Sequence, residues 1–171
     1  MKEITPETAK PHVLASRISE TTSIPTGSKS FMLVFYVQPG EAKKGRFGIS
    51  FLPENGEQAS CELHVRLDDL RAQFGPGSLN NFAGAEKSLR EGGAPQQVGN
   101  YAIENLIAVE PPLSVRVVVK GCDKIGGSLV DAEIAGQRTM IPYRPDLTVK
   151  RLVLRTEGVE LKSVSIAPLK N

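Results

Sequence analysis

Residues 62–68 read Glu-Leu-His-Val-Arg-Leu-Asp. Laid out as a β-strand, this run places His64, Arg66 and Asp68 on one face and Leu63, Val65 and Leu67 on the other. The polar row presents a ring nitrogen, a forked guanidinium and a carboxylate at two-residue intervals. Such a set can donate to and accept from the hydroxyls of a flat polar ligand. The same alternation also describes an antiparallel strand with one solvated face, so the row reads as a binding face or as plain polar surface.

Other chemistries find little to work with. Cys61 and Cys122 are the only cysteines and stand far apart, outside any paired-cysteine motif. They read as buried free thiols, with no disulfide framework and no structural zinc. Two histidines without close spacing do not assemble a transition-metal site, so no metal and no cofactor is expected. Glu62 and Asp68 share a face but lie about 20 Å apart at strand rise, too far for the carboxylate pair of a glycosidase. No Gly-x-Ser-x-Gly elbow accompanies His64. The residues point to a binding protein and not to an enzyme.

The elements that must position this row are short and β-like. The chain has 171 residues, 40% hydrophobic and 23% charged, which suits one globular domain. Its 21 Lys+Arg against 19 Asp+Glu leave a net charge of +2 with no dense basic run, which argues against nucleic acid as the main partner. The first residues are charged and lack the apolar core of a secretory signal, and no stretch approaches the ~18 apolar residues of a membrane span. The expected location is the cytoplasm, or the exterior by a route without a signal peptide.

Residues 1–28, rich in Thr, Ser, Pro and Glu, read as an N-terminal tail with one apolar stretch near Val13 to Ile18 that can dock as a strand; residues 29–171 read as the folded domain. Phe-Met-Leu-Val-Phe-Tyr-Val over 31–37 is a strand ending at Pro39-Gly40. Phe47, Ile49 and Phe51 alternate with small residues, and the turn residues of 53–56 lead into the His64 strand as a hairpin, which puts that strand mid-sheet. Residues 70–100 are rich in glycine and polar residues without helical period, and read as loop with short strands. After Pro111-Pro112, Leu113, Val115, Val117 and Val119 alternate as one buried face. Residues 129–135 and 139–143 flank a tight turn at Ala135-Gly136, and 149–154 and 159–166 read as a further pair joined at 156–158. Some nine or ten short strands from Phe31 onward, with almost no amphipathic helix, specify an all-β, two-sheet antiparallel β-sandwich of the jelly-roll kind.

In this order of strands and motifs the chain resembles the galectin family of glycan-binding β-sandwiches, over residues 28–169. Val37-Gln-Pro39-Gly and Arg46-Phe47-Gly-Ile-Ser-Phe51 are similar to the family's second and third core strands. Residues 113–120, 129–136, Met140-Ile-Pro-Tyr-Arg144 and 152–166, with the final strand in Glu160-Leu-Lys-Ser-Val-Ser-Ile166, are similar to its closing half. The resemblance implies a galectin-like, concanavalin-like sandwich that binds a galactoside, another oligosaccharide or a glycoprotein reversibly. Family members often pair edge to edge, which makes a homodimer one arrangement the resemblance implies.

The family's sugar strand carries His, Asn and Arg at alternate positions. His64 matches the first, while Arg66 stands for the Asn and Asp68 for the Arg. The next element in the family supplies an Asn, a Trp on which the sugar stacks, then a Glu and an Arg. The resemblance sets Asn80 or Asn81, Phe82, Glu86 and Arg90 against these. There is no Trp anywhere in the chain, which leaves Phe82 as the nearby aromatic. Two readings follow: a lectin with an altered pocket that prefers another glycan, such as one bearing an N-acetyl or acidic group, or a galectin-fold interaction or scaffold module that no longer uses sugar.

Overall fold

The computed structural model describes residues 12–18, 21–40, 44–53, 61–68, 71–75, 99–102, 110–124, 126–140, 143–144 and 148–169. These residues form thirteen strands and no helix: β1 (His12–Ile18), β2 (Thr22–Pro25), β3 (Phe31–Pro39), β4 (Arg46–Leu52), β5 (Cys61–Arg66), β6 (Arg71–Gly75), β7 (Gly99–Ala102), β8 (Leu113–Gly121), β9 (Ser128–Ile134), β10 (Gln137–Met140), β11 (Tyr143–Arg144), β12 (Arg151–Glu157) and β13 (Val159–Pro168).

The strands make two antiparallel sheets. One runs β1-β13-β3-β8-β9-β10, with β11 also on β9; the other runs β2-β12-β4-β5-β6-β7. Residues 12–25 contribute an edge strand to each, β1 against β13 and β2 against β12. The apolar sets read from the sequence line the space between the sheets: Phe31, Leu33, Phe35 and Val37 of β3 and Val115, Val117 and Val119 of β8 face Phe47, Ile49, Phe51, Leu63 and Val65 of β4 and β5. Phe35 and Phe47 meet edge to face at 5.6 Å and 89°, a contact that joins one sheet to the other. Full burial of each such side chain stabilises the fold by about 1.5–3 kcal/mol.

The hairpin of β4 and β5 forms as the sequence predicts, and β5 lies inside its sheet between β4 and β6. The turn between β9 and β10 places Ala135 at φ 51° and Gly136 at φ 78°, the primed geometry that suits a twisted hairpin. Cys61 is buried in the core, while Cys122 is only half-buried.

The chain departs from expectation after β12. The strands read as a pair do not pair: β12 belongs to the six-stranded sheet and β13 to the seven-stranded one, so residues 157–159 carry the chain across the sandwich. Apolar alternation is identical for hairpin partners and for strands that face each other across a core, so it cannot separate the two cases.

Gly45 makes this crossing fit. At φ 119°, it offers a position where an added Cβ would lie 2.6 Å from the Glu157 carbonyl oxygen and 2.8 Å from the Gly158 carbonyl carbon. Gly45→Ala is therefore expected to cost about 3 kcal/mol, through strain and a clash with backbone that cannot swing aside. For a domain of this size, that lowers Tm by roughly 10 °C. Gly136→Ala, also at positive φ but with nothing within 4 Å of the new methyl, is the control and should cost about 1 kcal/mol. Equal losses in thermal unfolding would mean that the close approach at Gly45 is not what matters.

Candidate functional site

The outward rows of the six-stranded sheet follow from register. Reading across β12, β4 and β5, one row holds Val153, Ser50 and Glu62; the next holds Arg155, Gly48 and His64; the third holds Glu157, Arg46 and Arg66. Leu63, Val65 and Leu67 point the other way into the core, as the alternation requires.

Exposure is graded along β5. Glu62 is 8% exposed and His64 2%, Arg66 is half-buried, and Asp68 is exposed. The expectation of an open polar face thus holds only toward its Asp68 end. Ser50 and Arg155 are buried beside Glu62, and Leu52 and Val153 form a small apolar cluster of their own. The middle of this face is withdrawn from solvent, and His64, buried there, is not among the residues that line the surface cleft.

Burying charge requires partners. Arg155 Nη1 lies 3.9 Å from Glu62 Oε1, and its Nη2 donates to Ser50 Oγ at 3.2 Å. Burial pushes the Glu62 carboxyl above its ordinary range, while the Arg155 guanidinium and the Ser50 hydroxyl pull it back. Gly48, without a side chain, stands between Arg155 and His64 in the row.

Toward the exposed end, Gly45, Arg46, Arg66, Asp68 and Glu157 line a cleft of about 210 Å³. Arg46 straddles one carboxylate oxygen of Glu157, with Nη2 at 2.7 Å and Nε at 2.8 Å. Asp68 Oδ1 accepts from the Gly45 amide at 2.8 Å, and the Gly45 carbonyl accepts from the Leu67 amide at 2.9 Å. The turn after β5 is thereby tied to the start of β4. Chemically, the cleft sets guanidinium donors beside carboxylate acceptors within reach of a hydroxyl-rich ligand.

Of the residues singled out in the sequence, His64, Arg66 and Asp68 lie along β5 and its turn; only Arg66 and Asp68 reach the cleft. Asn80, Asn81, Phe82, Glu86 and Arg90 lie outside the described residues. Sequence reasoning missed Arg46 and Glu157 as cleft residues, and Ser50 and Arg155 as partners of Glu62. One signal was available: Arg155 directly follows the apolar run Leu152-Val153-Leu154 within a strand. Among the described residues, no group of three or more His, Cys, Asp or Glu side chains could hold a metal ion. The described residues contain no helix long and apolar enough to cross a membrane.

No protein-family model matches the sequence, and no characterised protein matches it at the level of sequence. Solved structures do match the fold. The chain is similar to sheep galectin-11 in complex with glycerol, at TM-score 0.56 and 12% identity over 87% of this chain and 98% of that one. It is similar to the Caenorhabditis elegans galectin LEC-6, at TM-score 0.52 and 14% identity over 94% and 99%. It is also similar to part of a β-fructofuranosidase from Schwanniomyces occidentalis complexed with fructosyl-erythritol, at TM-score 0.57 and 10% identity over 94% of this chain but 34% of the enzyme. The fold is a galectin-like β-sandwich, and the galectins match it over nearly their whole length.

The buried acid generates a pH dependence with a definite sign. Because the Glu62 carboxyl titrates above the ordinary glutamate value of 4.5 in the folded state, the native protein holds more protons than the unfolded chain from pH 4.5 up to that raised value. Its contribution to stability is full below this window and is lost as pH rises through it. Glu62→Gln should remove that fall, so that urea midpoints of variant and parent diverge with rising pH; parallel curves would overturn the assignment. Arg155→Ala should cost about 3 kcal/mol at pH 7, where it strands a buried carboxylate, and less at pH 4.

Proposed function

We propose that this chain is a glycan-binding protein of galectin-like fold with a divergent site, acting by reversible binding and without catalysis. The observation that carries the reading is the cleft of Gly45, Arg46, Arg66, Asp68 and Glu157, where β4, the end of β5 and the β12–β13 crossing meet on the outer face of the six-stranded sheet. Sugar hydroxyls both donate and accept, and a cleft holding guanidinium and carboxylate groups side by side answers both needs. In this reading Arg66 contacts the ligand directly, Asp68 holds the cleft wall through Gly45, and His64 supports the strand from within. Asn80, Asn81, Phe82, Glu86 and Arg90 complete the proposed set, with Phe82 in the stacking role. The ligand is a galactoside or another oligosaccharide, free or on a glycoprotein. The likeness to galectins, one of them in complex with glycerol, supports a sugar-binding reading of the fold.

A second reading has its own support. Arg46 is paired with Glu157, Arg155 with Glu62, and His64 is buried, so part of this face satisfies itself. A sandwich of this kind serves equally as a protein-interaction or scaffold module.

A glycan array probed with the full chain separates the two. Selective signals that fall about tenfold or more in Arg66→Ala, with Tm unchanged, are the expected result, in line with the loss of charge-assisted hydrogen bonds. A blank array would favour the interaction module. His64→Ala is expected to act differently, lowering stability by about 1–3 kcal/mol because it empties a buried polar position.

A further inference from the structure

The outer face of the seven-stranded sheet carries an aromatic ring outside the core. β3 lies inside that sheet, between β13 and β8. Its Phe35 and Val37 are buried between the sheets, so Tyr36 points outward. At 41% exposure it is the one large apolar side chain left open among the described residues. Register sets Lys162 of β13 on one side of Tyr36 and Ser114 of β8 on the other, while Val34 and Gln38 share its face along the strand. Ser114 is exposed, and Lys162 and Gln38 are half-buried. A second feature converges on the same spot. In β13 the buried Leu161 and Val164 stand three residues apart instead of two, and the pairing with β3 shifts between Lys162 and Ser165. This bulge leaves both Lys162 and Ser163 outside the core, next to Tyr36. Ser163 is exposed and holds φ 53°, a left-handed conformation that a glycine would adopt at less cost. A serine hydroxyl is thus kept beside the ring where backbone geometry alone favours no side chain.

We infer that this patch is a second carbohydrate-binding surface, on which a pyranose ring of a glycan stacks on Tyr36 while Ser163, Lys162, Ser114 and Gln38 meet its hydroxyls. A pyranose ring has an apolar face of C–H groups and a rim of hydroxyls that donate and accept. Tyr36 supplies the apolar surface, the two serine hydroxyls and the Gln38 amide donate and accept, and Lys162 donates. Lys162 stands 3.8 Å from Glu160 in a solvent-accessible pair, which a sugar hydroxyl can enter without stranding a buried charge. A protein partner fits this patch less well. A stable interface takes about 800 Å² from each side. The apolar surface open here is close to a single ring, because Met32, Val34 and Val118 around it are half-buried. The patch lies on the opposite side of the sandwich from the cleft at Gly45 and Glu157, so the inference stands apart from the reading of that cleft.

The test is retardation of the full chain in native gels cast with a soluble galactan, mannan or glucan, where repeated sugar units make weak contacts measurable. The variants are Tyr36→Ala, Tyr36→Phe, Ser163→Gly and the double change of Tyr36→Ala with Arg66→Ala. Tyr36→Ala is expected to weaken binding by about fivefold to tenfold. Tyr36→Phe should keep most of the binding and Ser163→Gly part of it, and the Tyr36→Ala loss should be the same with or without Arg66→Ala, because the two positions are on separate faces. Retardation that falls in Arg66→Ala but not in Tyr36→Ala would put the sugar in the cleft alone and overturn this inference while leaving the cleft reading in place. A change in sedimentation of Tyr36→Ala with retardation unaltered would make the ring a contact between proteins, and also overturn it. A further measurement needs only the parent protein, so it decides the matter even if a variant misfolds. Nitration of Tyr36 by tetranitromethane, followed by mass spectrometry, should slow when the retarding polysaccharide is present; an unchanged rate, or no retardation by any of the three polysaccharides, would overturn the inference.

Discussion

The structure depends on one close approach, the backbone of Gly45 against the backbone of residues 157–158. At that point the chain leaves the six-stranded sheet, having completed β12, and enters the seven-stranded sheet as β13. A strand can change sheets only where another segment yields room, and Gly45 yields it by having no side chain and by adopting a φ closed to most residues. Its amide and carbonyl are both used, toward Asp68 and Leu67, so the turn after β5 is fastened to the same spot. The β12–β13 crossing and the cleft on the outer face meet at this junction.

Around that junction the face divides by solvent. In its middle, Ser50, Glu62, His64 and Arg155 are buried together, and the charged members are admitted only because each finds a partner of opposite sign or a hydrogen bond. At its end, Arg46, Arg66, Asp68 and Glu157 line the surface cleft. The same residue types therefore do different work a few ångströms apart. The buried Glu62 makes stability depend on pH, whereas the charges at the rim face solvent. A galectin-like scaffold carries both because its outer rows run across several strands from interior to rim.

Much of the fold was legible. Period-two alternation at Phe31 to Val37, Phe47 to Phe51, Leu63 to Leu67 and Leu113 to Val119 marked core faces that the structure confirms, because one buried face imposes that period on any strand. The Ala135-Gly136 turn and the β4–β5 hairpin were likewise readable from local chemistry. The site was legible only in part. Arg66 and Asp68 were found because they share the face of a recognisable strand; Arg46 and Glu157, twenty and ninety-one residues from Arg66 in sequence, were not, since nothing local to either announces the cleft.

What the sequence determined by itself was the all-β sandwich, which residues face its core and which side of β5 carries polar groups, for these follow from backbone pleat and hydrophobic burial acting over a few neighbours. Tertiary structure alone decided that β12 and β13 part company, that His64 goes inside while Arg66 stays at the rim, and that Glu157, Arg46 and Arg66 of three strands fall into one row. Those outcomes depend on register between segments far apart in the chain and on solvent access to a face. No local pattern encodes either, because a strand's alternation is the same whichever strand lies beside it.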